Sequence, residues 1–151
     1  MPVDHQRTLA DVVDEIKSHV ETAKALYPSR TVDVDWDSDG KHPDMTERLL
    51  LDVSSIAFNI IMNAFRHSPE GSAVYVRIQT LQGTLSCTVR NHRRHGQPTD
   101  DAKIIRGMDG ADNAKHGRGR QLIQEVAARA GVVVDTVETT DSYTVSMEMK
   151  L

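Results

Sequence analysis

One cysteine, Cys87, stands in the whole chain, so no internal disulfide can form. It lies in a run of alternating apolar residues, where a small buried side chain is the expected role. No apolar stretch approaches the ~20 residues that a bilayer crossing needs. Met1-Pro2-Val3-Asp4-His5 also lacks the basic-then-apolar layout of a secretory leader. A soluble, cytoplasmic protein is the expectation, with no membrane contact by this domain. Basic charge is not in excess: 18 Lys+Arg against 22 Asp+Glu give a formal net charge of -4, which argues against a broad nucleic-acid-binding face. No internal repeat and no low-complexity tract interrupts the chain. Its 151 residues, 38% hydrophobic and 26% charged, suffice for one domain spanning 1–151 with a real core.

Thr8 and Asp11 resemble a helix-start capping pair. Leu9, Val12, Val13, Ile16, Val20 and Ala23 follow at helical spacing, predicting a helix to about Leu26, before Pro28. Val32 to Trp36 alternates as a short strand, and Asp37 to Pro43 forms a polar turn. A long helix runs from about Thr46 to His67 and ends at the Pro69-Glu70-Gly71 turn. Val74, Val76 and Ile78, then Leu85, Cys87 and Val89, mark two strands joined as a hairpin at Gln82-Gly83. Residues 91–117 read as a long, lid-like loop whose apolar content is a weak patch at Ile104-Ile105; loops of that length are usually functional. Leu122, Ile123, Val126 and Ala127 mark a third helix stopped by Gly131. Val132–Val137 and Tyr143–Met149 make a last hairpin. This order predicts an α+β fold: a two-layer α/β sandwich with a mixed, mainly antiparallel sheet of about five strands and three main helices on one face.

The long helix carries most of the chemistry. Val53, Ile56, Ala57, Ile60 and Ala64 share one apolar face, and Phe58, Met62 and Phe65 a second, so the helix is expected to be largely buried. Within it, Asn59, Asn63 and His67 stack at i, i+4 and i+8, with Asp52 on the same side. Buried amides need partners, since an unpaired polar group costs ~1–3 kcal/mol. Two readings fit: structural residues bonded to backbone or water, or the lining of a pocket in which Asn oxygens coordinate a hard cation such as Mg²⁺ arriving with substrate phosphates. His67 fits either a phosphate contact or a cap at the helix end, where a cation is favoured. Arg66 fits either a solvated charge or a phosphate contact.

The run from Phe58 to Gly71, FNIIMNAFRHSPEG, resembles the N-box of histidine-kinase catalytic domains, members of the GHKL superfamily that includes DNA gyrase, the mismatch-repair MutL proteins and the ninety-kilodalton heat-shock chaperone. Its pattern is N-x-x-x-N-A, a basic residue, an aromatic or His, then a Ser/Thr-Pro turn. The resemblance implies a Bergerat-type ATP-binding fold in which Asn63 binds Mg²⁺, Asn59 assists, and Arg66 and His67 approach the phosphates. Gyrase-like hydrolases carry a catalytic glutamate where Asn59 stands; an amide cannot serve as general base. Kinase-type use of ATP is implied, with no catalytic base assigned.

Gly117-Arg118-Gly119-Arg120, opening the third helix, is similar to the family's G2 box, where glycines and free helix N–H groups suit an anion. Arg118 and Arg120 replace apolar residues, and Lys115 a frequent glycine. The strand Leu85 to Arg90 enters Asn91-His92-Arg93-Arg94-His95-Gly96, which matches the family's D-x-G-x-G adenine box. There Asn91 replaces the Asp that accepts from the adenine amino group, and Arg93 and His95 replace glycines. A neutral acceptor forgoes roughly 1 kcal/mol against a charged one. His92, Arg93, Arg94 and His95 read as a solvated loop; two His are too few for a usual metal site. Ala102 to Gly107 resembles a reduced F-box of the ATP lid.

None of the seven His residues has the acceptor context, a His followed by Glu/Asp and then Pro. The resemblance thus implies a partner that carries the phosphoacceptor histidine, on a dimerisation domain, or a response regulator. Three activities follow: an ATP·Mg²⁺-binding kinase domain, a degenerate module that docks to signalling proteins, or an anti-sigma-factor-type serine kinase.

Overall fold

The computed structural model describes residues 7–93, 104–106 and 123–151, the side chains of 104–106 excepted. Two short strands, β1 (Arg7–Thr8) and β3 (Asp44–Met45), pair antiparallel. They form a ribbon that holds the starts of the first two helices together. From β1 the chain enters α1 (Leu9–Leu26), whose start is closed by the Asp11 carboxylate accepting from the Thr8 N–H at 2.9 Å. From β3 it enters α2 (Glu47–His67), where the Thr46 hydroxyl oxygen accepts from the Leu49 N–H at 3.2 Å. The six buried residues of α1 are Leu9, Val12, Val13, Ile16, Val20 and Ala23, the set that helical spacing singles out.

Among the described residues, the main sheet has six strands in the order β2-β4-β5-β8-β7-β6. Strand β2 (Thr31–Ser38) runs parallel to β4 (Ala73–Leu81), with α2 as the crossover. β4 and β5 (Thr84–His92) form the expected hairpin. Its two-residue turn holds Gln82 at φ 53 and Gly83 at φ 75, a left-handed pair that matches strand twist. A helix, α3, covers residues 123–130 and ends at Gly131, φ 72. β7 (Val132–Glu138) and β8 (Ser142–Lys150) follow, β8 lying between β5 and β7.

Three expectations need correction. The segment read as one long loop contains β6 (Ile104–Arg106), antiparallel to β7; the sheet gains a sixth strand, made of the residues that looked like a weak apolar patch. Three residues show no readable period, so their partner, not their pattern, makes them a strand. The second apolar face of α2 is also not uniformly buried. Phe65 is inaccessible, but Phe58 keeps 38% of its surface and Leu51 58%. Phe58 and Phe65 share an angular position, so neighbours decide: Phe58 lies on the seam with α1, its ring meeting His19 edge-on at 5.2 Å. Nine α2 residues are buried, and the opposite side stays open. Contrary to the expectation that no apolar stretch nears bilayer length, α2 is by length and composition long and apolar enough to cross one; its nine buried residues make it a core helix here.

The sheet face toward the helices carries Val74, Val76, Ile78, Leu85, Cys87, Val89, Val132, Val134, Met147 and Met149, which share one buried cluster with helix residues such as Ile16, Ile56, Ile61 and Phe65. The end of α2 is tied down by Arg30, whose Nη2 donates to the carbonyl of the inaccessible Ser68 at 2.8 Å.

Two outcomes test this packing. Cys87 is 1% exposed, and desolvation pushes its thiol up to about 12. A thiol reagent at neutral pH should therefore leave the folded chain unlabelled and react only as denaturant unfolds it. At the α1–α2 seam, His19 Nε2 lies 2.8 Å from Ser54 Oγ. Burial lowers the His19 pKa below 6.5, outweighing the raising effects of Glu15 and Ser54. The unfolded chain then binds the proton more readily. Stability should be full above pH 6.5 and fall as pH drops toward the lower folded value, measured by chemical denaturation; His19→Gln should flatten that slope.

Candidate functional site

The open side of α2 presents the polar stripe found in the sequence. Asn59 and Asn63 are both partly exposed, because the buried arc of the helix lies on the far side, around Ile60 and Ala64. The premise of fully buried amides is thus corrected: these side chains face outward beside Asp52. Asn59 donates through Nδ2 to the Ser55 carbonyl at 2.9 Å, one turn back. The Asn63 Oδ1 accepts a hydrogen bond from Arg66 Nη2. His67 is the last residue of α2 and exposed; with Arg66 it puts positive charge at the carbonyl end of the helix. Asp52 pairs at 2.9 Å with Arg129 of α3. This link spans the two helices, and no sequence signal marked Arg129.

Asn91 occupies the end of β5, and its register shows how it reaches this neighbourhood. The chain leaves α2, turns at residues 68–72, and enters β4, where Val74 pairs with Asn91. Asn91 therefore lies at the same end of the sandwich as the C-terminal turns of α2, with Tyr143 of β8 on its other side. Strand alternation continues from Leu85, Cys87 and Val89 to Asn91 on the helix-facing side, a signal already present in the sequence. Only 2% of Asn91 is exposed. Its Nδ2 donates to the His92 carbonyl at 2.9 Å, while its Oδ1 is buried without a partner among the described residues. Leaving such an acceptor unpaired costs ~1–3 kcal/mol.

Arg93 is not part of a solvated loop, as its polar neighbours in sequence suggested. Its side chain is 7% exposed, with Nη1 2.8 Å from Glu138 Oε1 and donating to the Thr139 carbonyl at 3.0 Å. Its backbone N–H reaches the Asp141 carbonyl at 3.0 Å. The guanidinium that stands at a glycine position of the adenine-box pattern is thus committed to the β7–β8 turn. His92 lies partly buried, its ring edge-on to Tyr75 at 6.0 Å. Arg94 and His95, together with Gly117, Arg118, Gly119 and Arg120, lie outside the described residues. Among the described residues no three His, Cys, Asp or Glu side chains cluster as a metal would need.

The two halves of the arrangement fit a magnesium nucleotide differently. At the base end, the unpaired Asn91 oxygen in a buried setting suits an exocyclic amino group such as that of adenine. At the metal end, Asn63 offers the right atom, but Arg66 holds it. A cation reaches that oxygen only when the guanidinium moves off, for example to an incoming phosphate.

No protein-family profile matches the chain, and no curated protein matches it by sequence. Solved structures do match. A mycobacterial sensor histidine kinase, MprB, aligns at a TM-score of 0.66 and 15% identity over 98% of this chain and 97% of that one. The histidine kinase domain of the blue-light-activated kinase of Erythrobacter litoralis aligns at 0.69 and 16% identity, covering 93% of this chain and 61% of that one. The catalytic domain of the histidine kinase ThkA aligns at 0.66 and 11% identity, over 96% and 94%. With six strands in a mixed sheet and three helices packed on it among the described residues, the chain has the fold of these histidine-kinase catalytic domains.

Proposed function

We propose that the chain is an ATP·Mg²⁺-binding catalytic domain of a two-component sensor histidine kinase, serving a phosphoacceptor histidine on a separate dimerisation domain or partner. The observation that carries this reading is Asn91: a buried carboxamide oxygen without a partner among the described residues, at the sheet end where the Asn59–Asn63 stripe also lies. In this reading Asn91 accepts from the adenine amino group. Asn63, with Asn59, holds magnesium, and Arg66 and His67 meet the phosphates, joined by the Gly117–Arg120 segment. Phosphoryl transfer depends mainly on positioning and charge stabilisation. A domain with no histidine in acceptor context therefore turns over little until an acceptor docks.

The Arg66–Asn63 bond favours a second reading, the docking module. An arginine seated on the metal-binding oxygen, and a neutral residue in place of the adenine-binding carboxylate, together weaken nucleotide affinity. Loss of that affinity would leave a scaffold for signalling partners.

Titration calorimetry with ADP and ATP separates the two. The kinase reading expects micromolar, Mg²⁺-dependent heats. Asn63→Ala should abolish the Mg²⁺ dependence, and Asn91→Leu should weaken both nucleotides by about tenfold or more, the worth of one buried hydrogen bond. No heat at millimolar nucleotide sinks the kinase reading in favour of the docking module.

A further inference from the structure

The helix layer stops short of the sheet's own edge. β2 pairs only with β4 among the described residues. Val34 and Trp36 lie in register with Val76 and Ile78, on the face that α1 and α2 cover. Yet Val76 is 1% and Ile78 0% exposed, while Val34 keeps 41% and Trp36 40%. Among the described residues, the Lys17 ammonium lies over the Trp36 ring, 3.8 Å from its centroid. On the opposite face, Asp33, Asp35 and Asp37 alternate with these apolar residues, and none of the three forms an ion pair among the described residues. Arg77 sits across from Asp35 on β4 without closing a bridge.

Among the described residues, the backbone of β2 is open as well. In a parallel ladder, alternate residues direct both their N–H and C=O toward one neighbour. The Thr31 N–H bonds the Ser72 carbonyl at 3.1 Å and the Asp39 N–H bonds the Thr80 carbonyl at 3.0 Å, so the odd-numbered residues face β4. Val32, Val34, Trp36 and Ser38 turn their backbone groups to the free edge. Edge strands are ordinarily short or covered; this one is eight residues long.

We infer that β2 is a docking edge for an extended, basic segment of a partner protein, which adds to the sheet as a seventh strand. Its alternate Lys or Arg side chains would meet Asp33, Asp35 and Asp37 on the outer face. Its apolar side chains would cover Val34 and Trp36 on the inner one, and its backbone would pair with the free edge. Charge selects this occupant over a second copy: β2 against β2 would set two rows of aspartates on one face, where like charges repel, in a chain of net charge -4.

Trp36 is the sole tryptophan, so its emission reports on this edge. The probe is a blocked peptide of alternating lysine and valine, as long as β2. It should shift Trp36 emission to the blue, saturably, below about 1 mM, the weak range expected of a single added strand. Three changes should each weaken it about tenfold: alternating glutamate and valine in the peptide, Asp33→Asn with Asp35→Asn in the protein, and Val34→Pro. Val34→Pro removes an edge N–H but no bond to β4, so thermal stability should hold. Should that variant unfold, the same lysine peptide with alternate backbone nitrogens methylated replaces it: equal charge, no strand pairing, no binding expected. The proposal is overturned by unchanged Trp36 emission, by equal binding of the acidic peptide, by undiminished binding to Val34→Pro or of the methylated peptide, or by an emission shift that follows protein concentration alone. Nucleotide heats bear on none of these outcomes.

Discussion

Everything in this domain is arranged around the division of α2 into a buried arc and an open one. Val53, Ile56, Ala57, Ile60, Ile61, Ala64 and Phe65 fix the helix against the sheet and α1, so its rotation about its own axis is set by apolar contact area. Once that rotation is fixed, Asp52, Asn59 and Asn63 have no choice of direction: they emerge on the open side. A polar stripe on a helix free to roll would define no geometry. Here core packing positions the polar groups, and the polar groups contribute little to holding the helix.

The same division accounts for what the bare sequence could and could not disclose. The core positions of α1 and the hairpin turn at Gln82-Gly83 were legible because each follows from local spacing or local backbone chemistry. So was the stripe, and its likeness to the N-box. The burial of individual α2 residues was not, because Phe58 and Phe65 occupy equivalent angles and differ only in which neighbour meets them. β6 was hidden for a related reason: three residues become a strand only when β7 offers an edge. Arg93 looked like a solvated charge since nothing near it in sequence is acidic; its partner Glu138 is brought to it by the β7–β8 hairpin.

Long-range pairing also alters what the departures from the adenine-box pattern mean. An arginine at a glycine position reads, in one dimension, as bulk thrust into the base's space. In the fold its guanidinium turns to Glu138 and Thr139 and braces the sheet end that carries Asn91. The departure thus adds rigidity beside the unpaired acceptor, and bulk at Arg93 is not by itself an argument against a bound base.

Asn91 itself follows from a balance between an empty and a filled site. At 2% exposure, a carboxylate there would have to be desolvated, a penalty of several kcal/mol by the usual cost of burying a charge left unpaired. The carboxamide carries a smaller penalty, one unpaired oxygen, and can satisfy its own N–H₂ on the His92 carbonyl. Substituting amide for acid therefore stabilises the unliganded domain and gives up the charge-assisted part of a ligand's hydrogen bond. The Arg66–Asn63 bond acts in the same direction on α2, since it leaves the Asn63 oxygen paired without any ligand. Both features lower the free energy of the empty state, so any ligand must supply that difference before net affinity appears. A domain built this way does not depend on a ligand at either position for its folding.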